Sequence, residues 1–442
     1  VQAGFAKPPM RAHQEPVIME QSQSRTVRHP DGHLGRKHRI GSPSITGPRI
    51  ALVLSVALYL LYCGLVVLNA VARPIADWDM LAYVASVLQR RGETDALQLH
   101  AQAFGIVRAA VTDAQWHQLT TLSQYRVVQA RDAEAFVSML PMYQVKGGYV
   151  ALIDLVGGML GPVTAMRVVS LASMIVLMAA LFVSFWRLGQ LRFIGLLTPV
   201  MAMLRFPDLA SISAPDALVA ALATSAACLI ILSERTRPPP LALGLLVTAV
   251  LIRPDMLVAT TGLPLALVAG STVAALLDGR NLRGALDQGL RATGPWPWAA
   301  AVAGVGAYLA AKAGVNHPGW FAHFMFSFHD QRDTMAGFQP AFDIRIYLSA
   351  LARVTVRLLR EDIWPWLMLS LILCGLFFAR LRDFGPVLLG LLVFVLGVWA
   401  SRTLAFPLPD TRVAAPQVLT AIMIAVALIA RSADRRLATD KA

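Results

Sequence analysis

An all-α membrane protein with about ten transmembrane helices is predicted by three features of this 442-residue sequence. Hydrophobic residues make up 56% of it and charged residues only 15%, where a soluble domain carries roughly 25% charged residues. Mean hydropathy is +0.59. The apolar residues are gathered in blocks instead of amphipathic stripes. Residues 50–72 hold no charge over 23 positions, and a helix needs about 20 apolar residues to cross a bilayer core.

Taken in order, the first 49 residues are polar, with scattered Pro, Gly, Ser, His and Arg, and read as a disordered cytoplasmic tail. Their histidines, His13, His29, His33 and His38, lack metal-ligand spacing. The apolar run that follows is too long for a cleavable signal peptide, and no small-residue cleavage site follows it. The chain opens on Val1, which points to an alternative start codon, with Met10 and Met19 as other candidate starts. Spans are expected at 50–72, 163–186, 193–206, 216–232, 241–253, 256–277, 296–314, 363–380, 385–400 and 413–430. The third and fifth are short, which a bundle tolerates beside a cavity or other protein.

Every second connection is basic. Arg36, Lys37, Arg39 and Arg49 precede the first span; Arg187 and Arg192 follow the second, and Arg235 and Arg237 the fourth. Arg280, Arg283 and Arg291 follow the sixth, Arg380 and Arg382 the eighth, and Arg431, Arg435, Arg436 and Lys441 the tenth. Positive-inside orientation places these loops and both termini, including a short tail at 431–442, in the cytoplasm. Two long loops, 73–162 and 315–362, fall outside. Segment 147–160 is apolar with one charge, Asp154. If it spanned, the later basic loops would mostly face outward, so it is expected as an interfacial or re-entrant helix. Within the first outer loop, helices are expected at 78–91 and inside 115–137. Residues 344–360, with Arg345, Arg353, Arg357 and Arg360, are amphipathic and expected to lie on the outer membrane surface.

The net charge of +13 follows from basic cytoplasmic loops. No nucleic-acid-binding motif accompanies it, so nucleic acid is not an expected partner. Cys63, Cys228 and Cys374 lie inside apolar blocks, too widely spaced for a zinc motif, and imply no disulfide framework. A glycine fingerprint in strand-helix alternation, the mark of a nucleotide site, is missing. No internal repeat is found. The two short spans both fall in the first half, whereas an inverted-repeat transporter tends to break spans in both halves.

The acidic triplet Asp77-Trp78-Asp79 stands just outside the first span. Carboxylates there can take a proton from an acceptor or hold a cation; equally, one of them can cap the helix that follows. Asp79 and Tyr83 are four apart and share a helical face. The chain here resembles the GT-C superfamily of integral-membrane glycosyltransferases, which includes the lipid A aminoarabinose transferases and the protein mannosyltransferases. Asp79-Met-Leu-Ala-Tyr83 fits the family's Asp-x-x-x-Tyr form. Pro141-Met-Tyr143-Gln-Val-Lys146-Gly-Gly-Tyr149, then Gly161, then Arg167-Val-Val-Ser170 follow in the family's order. The resemblance covers about residues 50–270. It departs at Met80, where a second acid is expected, and at Gly147, where Pro is expected.

The resemblance implies a GT-C-like fold and an inverting transfer of sugar from a polyprenyl phosphate to an envelope acceptor, on the outer face of the bacterial cytoplasmic membrane. Asp79, with Asp77 beside it, would be the catalytic base. Lys146, Arg253, Arg402 and Arg412 are the candidate donor or phosphate ligands, Arg for its forked donors. Lys146 reads equally as a snorkelling lysine, and Arg253-Pro254-Asp255 as a solvated hairpin tip. Tyr83, Tyr143, Asp216 and His329 are candidate substrate contacts. His329 with Asp330 and Asp333 is a candidate divalent-metal set, though no cofactor is required by the sequence. Trp320, Phe321, Phe324, Phe326 and Phe328 suit an interfacial segment or a lipid or sugar contact. The partners expected are the lipid-linked sugar, a glycan, lipid or protein acceptor, and the membrane. The alternatives are a lipid or solute transporter, which would place ionisable residues deep inside spans, and a non-catalytic envelope-assembly scaffold.

Overall fold

The structure, a computed structural model, describes residues 46–439 except 379, 408 and 409, and their side chains except those of 46–48, 374–378 and 433–439. The expected tail at 1–49 therefore lies outside the described residues apart from its last four, which open the first helix. Among the described residues the chain is helical and holds no strand, only an isolated bridge between Ile75 and Ile212.

Helix α1 (Thr46–Ala72) is largely exposed, with Leu61 63% and Leu68 66% accessible, as a lipid-facing helix is. The long connection after it folds into α2 (Asp79–Arg90), α3 (Ala96–Ala110), α4 (Asp113–Thr121), α5 (Gln124–Arg131) and α6 (Ala133–Met139). Asp95, Thr112, Ser123 and Asp132 open the last four as N-caps, each accepting a backbone N–H. A single turn, α7 (Pro141–Gln144), leads into α8 (Gly147–Leu160). Asp154 of α8 pairs with Arg91 at 2.7 Å and Arg90 at 3.3 Å, while Leu155 and Met159 stay exposed. The lone charge thus ties an apolar helix to α2. Gly161, at φ 78°, turns the chain into α9 (Pro162–Arg187), a conformation that costs glycine least.

The expected third span is not one helix. A 3-10 turn at Leu191–Leu196 is followed by α10 (Leu197–Met203) and α11 (Phe206–Ser211), with Arg205 left-handed at φ 54° between them. Pro199 and Pro207 each remove a backbone donor from this stretch. Next come α12 (Asp216–Ser233), α13 (Pro240–Ile252), a 3-10 turn at Pro254–Met256 and α14 (Leu257–Leu277). They are followed by α15 (Leu282–Thr293), α16 (Trp296–Lys312), α17 (Trp320–Phe328) and α18 (Ile344–Glu361). The chain ends with α19 (Trp364–Phe378), α20 (Leu381–Ala405) and α21 (Thr411–Thr439), the last running through most of the expected C-terminal tail. Gly385, at φ 63°, breaks α20 one turn in, just before Pro386.

Among the described residues, six helices have the length and apolar composition to cross a membrane: α1, α9, α12, α14, α20 and α21. The other expected spans are shorter, with 13 residues in α13, 17 in α16 and 15 in α19. The described residues thus form an almost wholly helical fold whose several apolar helices suit a multi-pass, membrane-embedded protein. Helices α14 and α20 pack backbone to backbone at Gly270, where an added Cβ would meet the Gly390 backbone; small residues let membrane helices approach this closely. Two apolar cores result. One joins α1, α9, α12 and α21 around Tyr59, Phe185 and Met423. The other joins α2–α8 to α17 around Tyr83, Tyr149, Phe136 and Phe324.

Candidate functional site

The loop between α1 and α2 is pinned from two sides. Ile75 N donates to Ser211 O at 3.0 Å, and Asn69 Nδ2 reaches Ser211 Oγ at 3.2 Å. Gln115 Nε2 donates to Pro74 O at 2.7 Å. The end of the broken α10–α11 segment thus braces the extended run that delivers Asp77 and Asp79. Trp78 is the N-cap of α2 and caps with no side chain, and Asp79 is the first helical residue. Asp77 Oδ1 accepts from Trp78 N at 2.7 Å.

Asp79 Oδ1 accepts from the Tyr143 hydroxyl at 2.9 Å. Lys146 Nζ donates to the Tyr83 hydroxyl at 2.7 Å and lies 4.9 Å from the centre of the Tyr143 ring. Tyr83 stands edge-on to both Tyr143 and Tyr149, with centroids 5.4 and 4.9 Å apart. Lys146 therefore turns inward onto the tyrosines instead of snorkelling. Burial holds its ammonium below the usual lysine range, although Asp79 pulls the other way. Burial and the nearby Asp79 hold the Tyr83 and Tyr143 phenols well above their usual range, so both stay protonated donors.

A ladder of ion pairs closes the other side. Arg412, in the first turn of α21, reaches Asp410 Oδ2 at 2.5 Å, Asp77 Oδ2 at 3.3 Å and Asp216 Oδ2 at 4.0 Å. Asp216, which heads α12, pairs closely with Arg253. Arg253 also grips Asp255 with two nitrogens at 3.1 Å each. Asp255 in turn accepts from Arg402 Nη2, in the last turn of α20, at 2.6 Å. The Arg253 side chain is only 12% accessible. Asp255 is 37% accessible, so the Arg253-Pro254-Asp255 tip is a half-buried ion-pair hub joining α12, α13, α14 and α20 around an inward-turned Arg253, not a solvated turn. Geometry this complete is what a buried ion pair requires to offset desolvation.

The Asp77 carboxyl is pushed up to about 6 by burial and by the charge of Asp79, against the pull of Arg412. One carboxylate of the pair is therefore readily protonated and the other is fixed by Tyr143. Around them stand Lys146 and three arginines. Such a site can orient a hydroxyl, accept its proton and hold an anion beside it.

Of the sequence candidates, Asp77, Asp79, Tyr83, Tyr143, Lys146, Asp216, Arg253, Arg402 and Arg412 come together here. His329 does not join them: it ends α17, where its Nδ1 meets Arg353 Nη2 at 3.2 Å. Asp330 pairs with Arg332 at 2.8 Å, and among the described residues no group of three His, Cys, Asp or Glu side chains could hold a metal ion. Arg167 also lies apart, donating to Ala110 O at 3.0 Å. Three residues gain a place that the sequence did not single out for them: Asp255 as the hub's second acid, Tyr149 against Tyr83, and His323 of α17. His323 packs on Phe406 at 4.8 Å, and burial, with His317 and Lys146 nearby, lowers its imidazole to about 3. Only its position within an aromatic run marked it in the sequence.

No protein-family model matches this chain, and neither a curated protein nor a solved structure does.

Proposed function

We propose that this protein is an inverting glycosyltransferase that moves a sugar from a polyprenyl-phosphate donor to an acceptor at the outer face of the bacterial cytoplasmic membrane. In this reading α13, α16, α19 and the broken α10–α11 segment complete a set of about ten GT-C-like spans. The acidic and basic cluster faces outward, and both termini are cytoplasmic, as the basic loops at the opposite helix ends favour.

Support comes above all from one observation: Asp79, held by Tyr143, stands in the same cluster as Lys146, Arg253, Arg402 and Arg412. Asp79 takes the proton of the acceptor hydroxyl as its oxygen attacks the anomeric carbon. The bond from that carbon to the phosphate oxygen breaks, and the departing polyprenyl phosphate carries the electron pair. Its negative charge is met by the arginines, whose planar fork suits phosphate, and by Lys146. Attack opposite the leaving group inverts the anomeric centre. Ionisable groups are gathered at the helix ends and are not strung through the bundle, which favours surface chemistry over a transport path.

The test is to reconstitute the protein in lipid nanodiscs with a panel of polyprenyl-phosphate sugars and a membrane-extract acceptor. Consumption of one donor with an inverted product linkage is expected. Transfer with retained configuration, or no consumption of any donor, speaks against the proposal.

A further inference from the structure

Helix α15 (Leu282–Thr293) presents three different faces. Ala285, Gly289 and Thr293 are buried. Gly289 presses on α14, where an added Cβ would lie 2.6 Å from Thr272 Oγ1 and 2.7 Å from Val268 O, so the helix is firmly seated. Leu282, Leu286 and Leu290 stand 68%, 47% and 49% exposed. Spaced by four, they form one stripe about 80° wide. Arg283, Asp287 and Arg291, also exposed, follow on the next side, about 100–180° round from Leu282.

The arginines here are not all spent within the protein. Arg291 takes Asp287 at 2.7 Å. Arg280 and Arg283 are exposed and stand in no ion pair among the described residues. Two more arginines come from the α12–α13 connection, which is tacked to the far end of α15. Thr236 Oγ1 donates to Ala292 O at 3.0 Å, and the Arg237 side chain passes beside Gly294, leaving Arg235 and Arg237 exposed. The acids nearby in sequence are Glu234, Asp278 and Asp287, and Arg431 holds the first at 3.5 Å. Exposed Trp296 and Trp298 open α16 directly after α15, the residue type that collects at membrane-water boundaries.

We infer that α15 is an in-plane anchor that binds anionic phospholipid, with its leucine stripe among the acyl chains and Arg280 and Arg283 on lipid phosphates. This needs the chain to be membrane-embedded and is independent of the transferase reading. The order of the faces selects the occupant. An apolar stripe bordered along its length by guanidiniums matches the boundary where acyl chains meet negatively charged headgroups. The forked donors of arginine suit phosphate oxygens. The surface beside it is apolar as well: Val273 and Leu276, near the end of α14, are exposed.

The test uses the full-length protein in nanodiscs of mixed phosphatidylcholine and phosphatidylglycerol, with retained lipid counted by mass spectrometry as detergent strips the disc. Preferential retention of phosphatidylglycerol is expected in the wild type. Arg280→Gln with Arg283→Gln should lower that preference at least fivefold, since one basic side chain near an anionic surface carries about that factor. Arg187→Gln with Arg192→Gln, at and after the end of α9, should keep it. No preference in the wild type, or an equal fall in both variants, overturns the inference. A second arm places a nitroxide through Leu286→Cys or Asp287→Cys, with the native cysteines replaced by alanine. Collisions with oxygen should dominate at 286 and with a water-soluble nickel complex at 287. Equal access of the nickel complex to both positions, or a dimer that Leu286→Gln dissociates, overturns it.

Discussion

At the residue scale, the two carboxylates of one triplet are given different environments. Asp79 is held by a phenol that stays protonated. Asp77 faces Arg412 at 3.3 Å, and burial together with Asp79 pushes its carboxyl up to about 6. The sign of the linkage follows. A carboxyl whose folded value lies above its unfolded value contributes stability that is present below about pH 4 and lost as pH rises through about 6. Asp77→Asn should therefore flatten the dependence of the thermal midpoint on pH between about 4 and 6, measured in nanodiscs. The same ionisation forms the link to Arg412, so transfer should fall as pH drops through about 6 in the wild type, and that limb should vanish in Asp77→Asn. Tyr143→Phe removes a hydrogen bond to a charged group, about 1.5–3 kcal/mol. A loss of roughly 10- to 100-fold in kcat is expected, with little change in KM, in a steady-state assay.

At the element scale, the ion-pair hub fastens helix ends that the chain connects only distantly. Arg253→Ala leaves buried Asp216 without its close partner, and breaking a buried pair costs about 3–5 kcal/mol; Asp255, half-exposed, keeps Arg402. A clear drop in the thermal midpoint is expected, and Arg253→Lys should recover part of it. Gly270→Ala should also destabilise, by about 1–3 kcal/mol, because the added carbon meets the Gly390 backbone. Gly262→Ala, on the same helix with nothing within 4 Å, should not. A differential scanning fluorimetry series reads all four.

These elements also show what was legible beforehand. The helices at 147–160 and 344–361 announce themselves by a glycine stop and by amphipathic spacing, whereas the helix at 79–90 opens with no side-chain cap. The break in the third expected span was harder to see, because hydropathy averages over Pro199 and Pro207. The nine clustered site residues were visible as charged or tyrosine positions at helix ends. Their ion-pair order was not, since Asp77 and Arg412 are joined across 335 positions of sequence. His329 stands out in the sequence by its acidic neighbours Asp330 and Asp333, but Asp330 is engaged locally with Arg332.

At the scale of the whole molecule, alternating helix direction gathers the acidic and basic cluster at one end of the bundle and the basic connections at the other. A cysteine placed at exposed Thr94 should react with a membrane-impermeant maleimide in intact cells, and one at exposed Arg237 should react only after lysis. The reverse pattern would invert the proposed topology. The arrangement puts the carboxylates Asp77 and Asp79 and the cations Lys146, Arg253, Arg402 and Arg412 within one helical frame.

The central claim, that Asp79 is the base of a lipid-linked sugar transfer, is tested most directly by single-turnover transfer from the preferred polyprenyl-phosphate sugar. Wild type and Asp79→Asn are compared at matched folding in nanodiscs. A loss of about 100-fold or more in the variant, the size general-base catalysis supplies, with donor binding retained, is the expected result. Full transfer by Asp79→Asn would contradict the account.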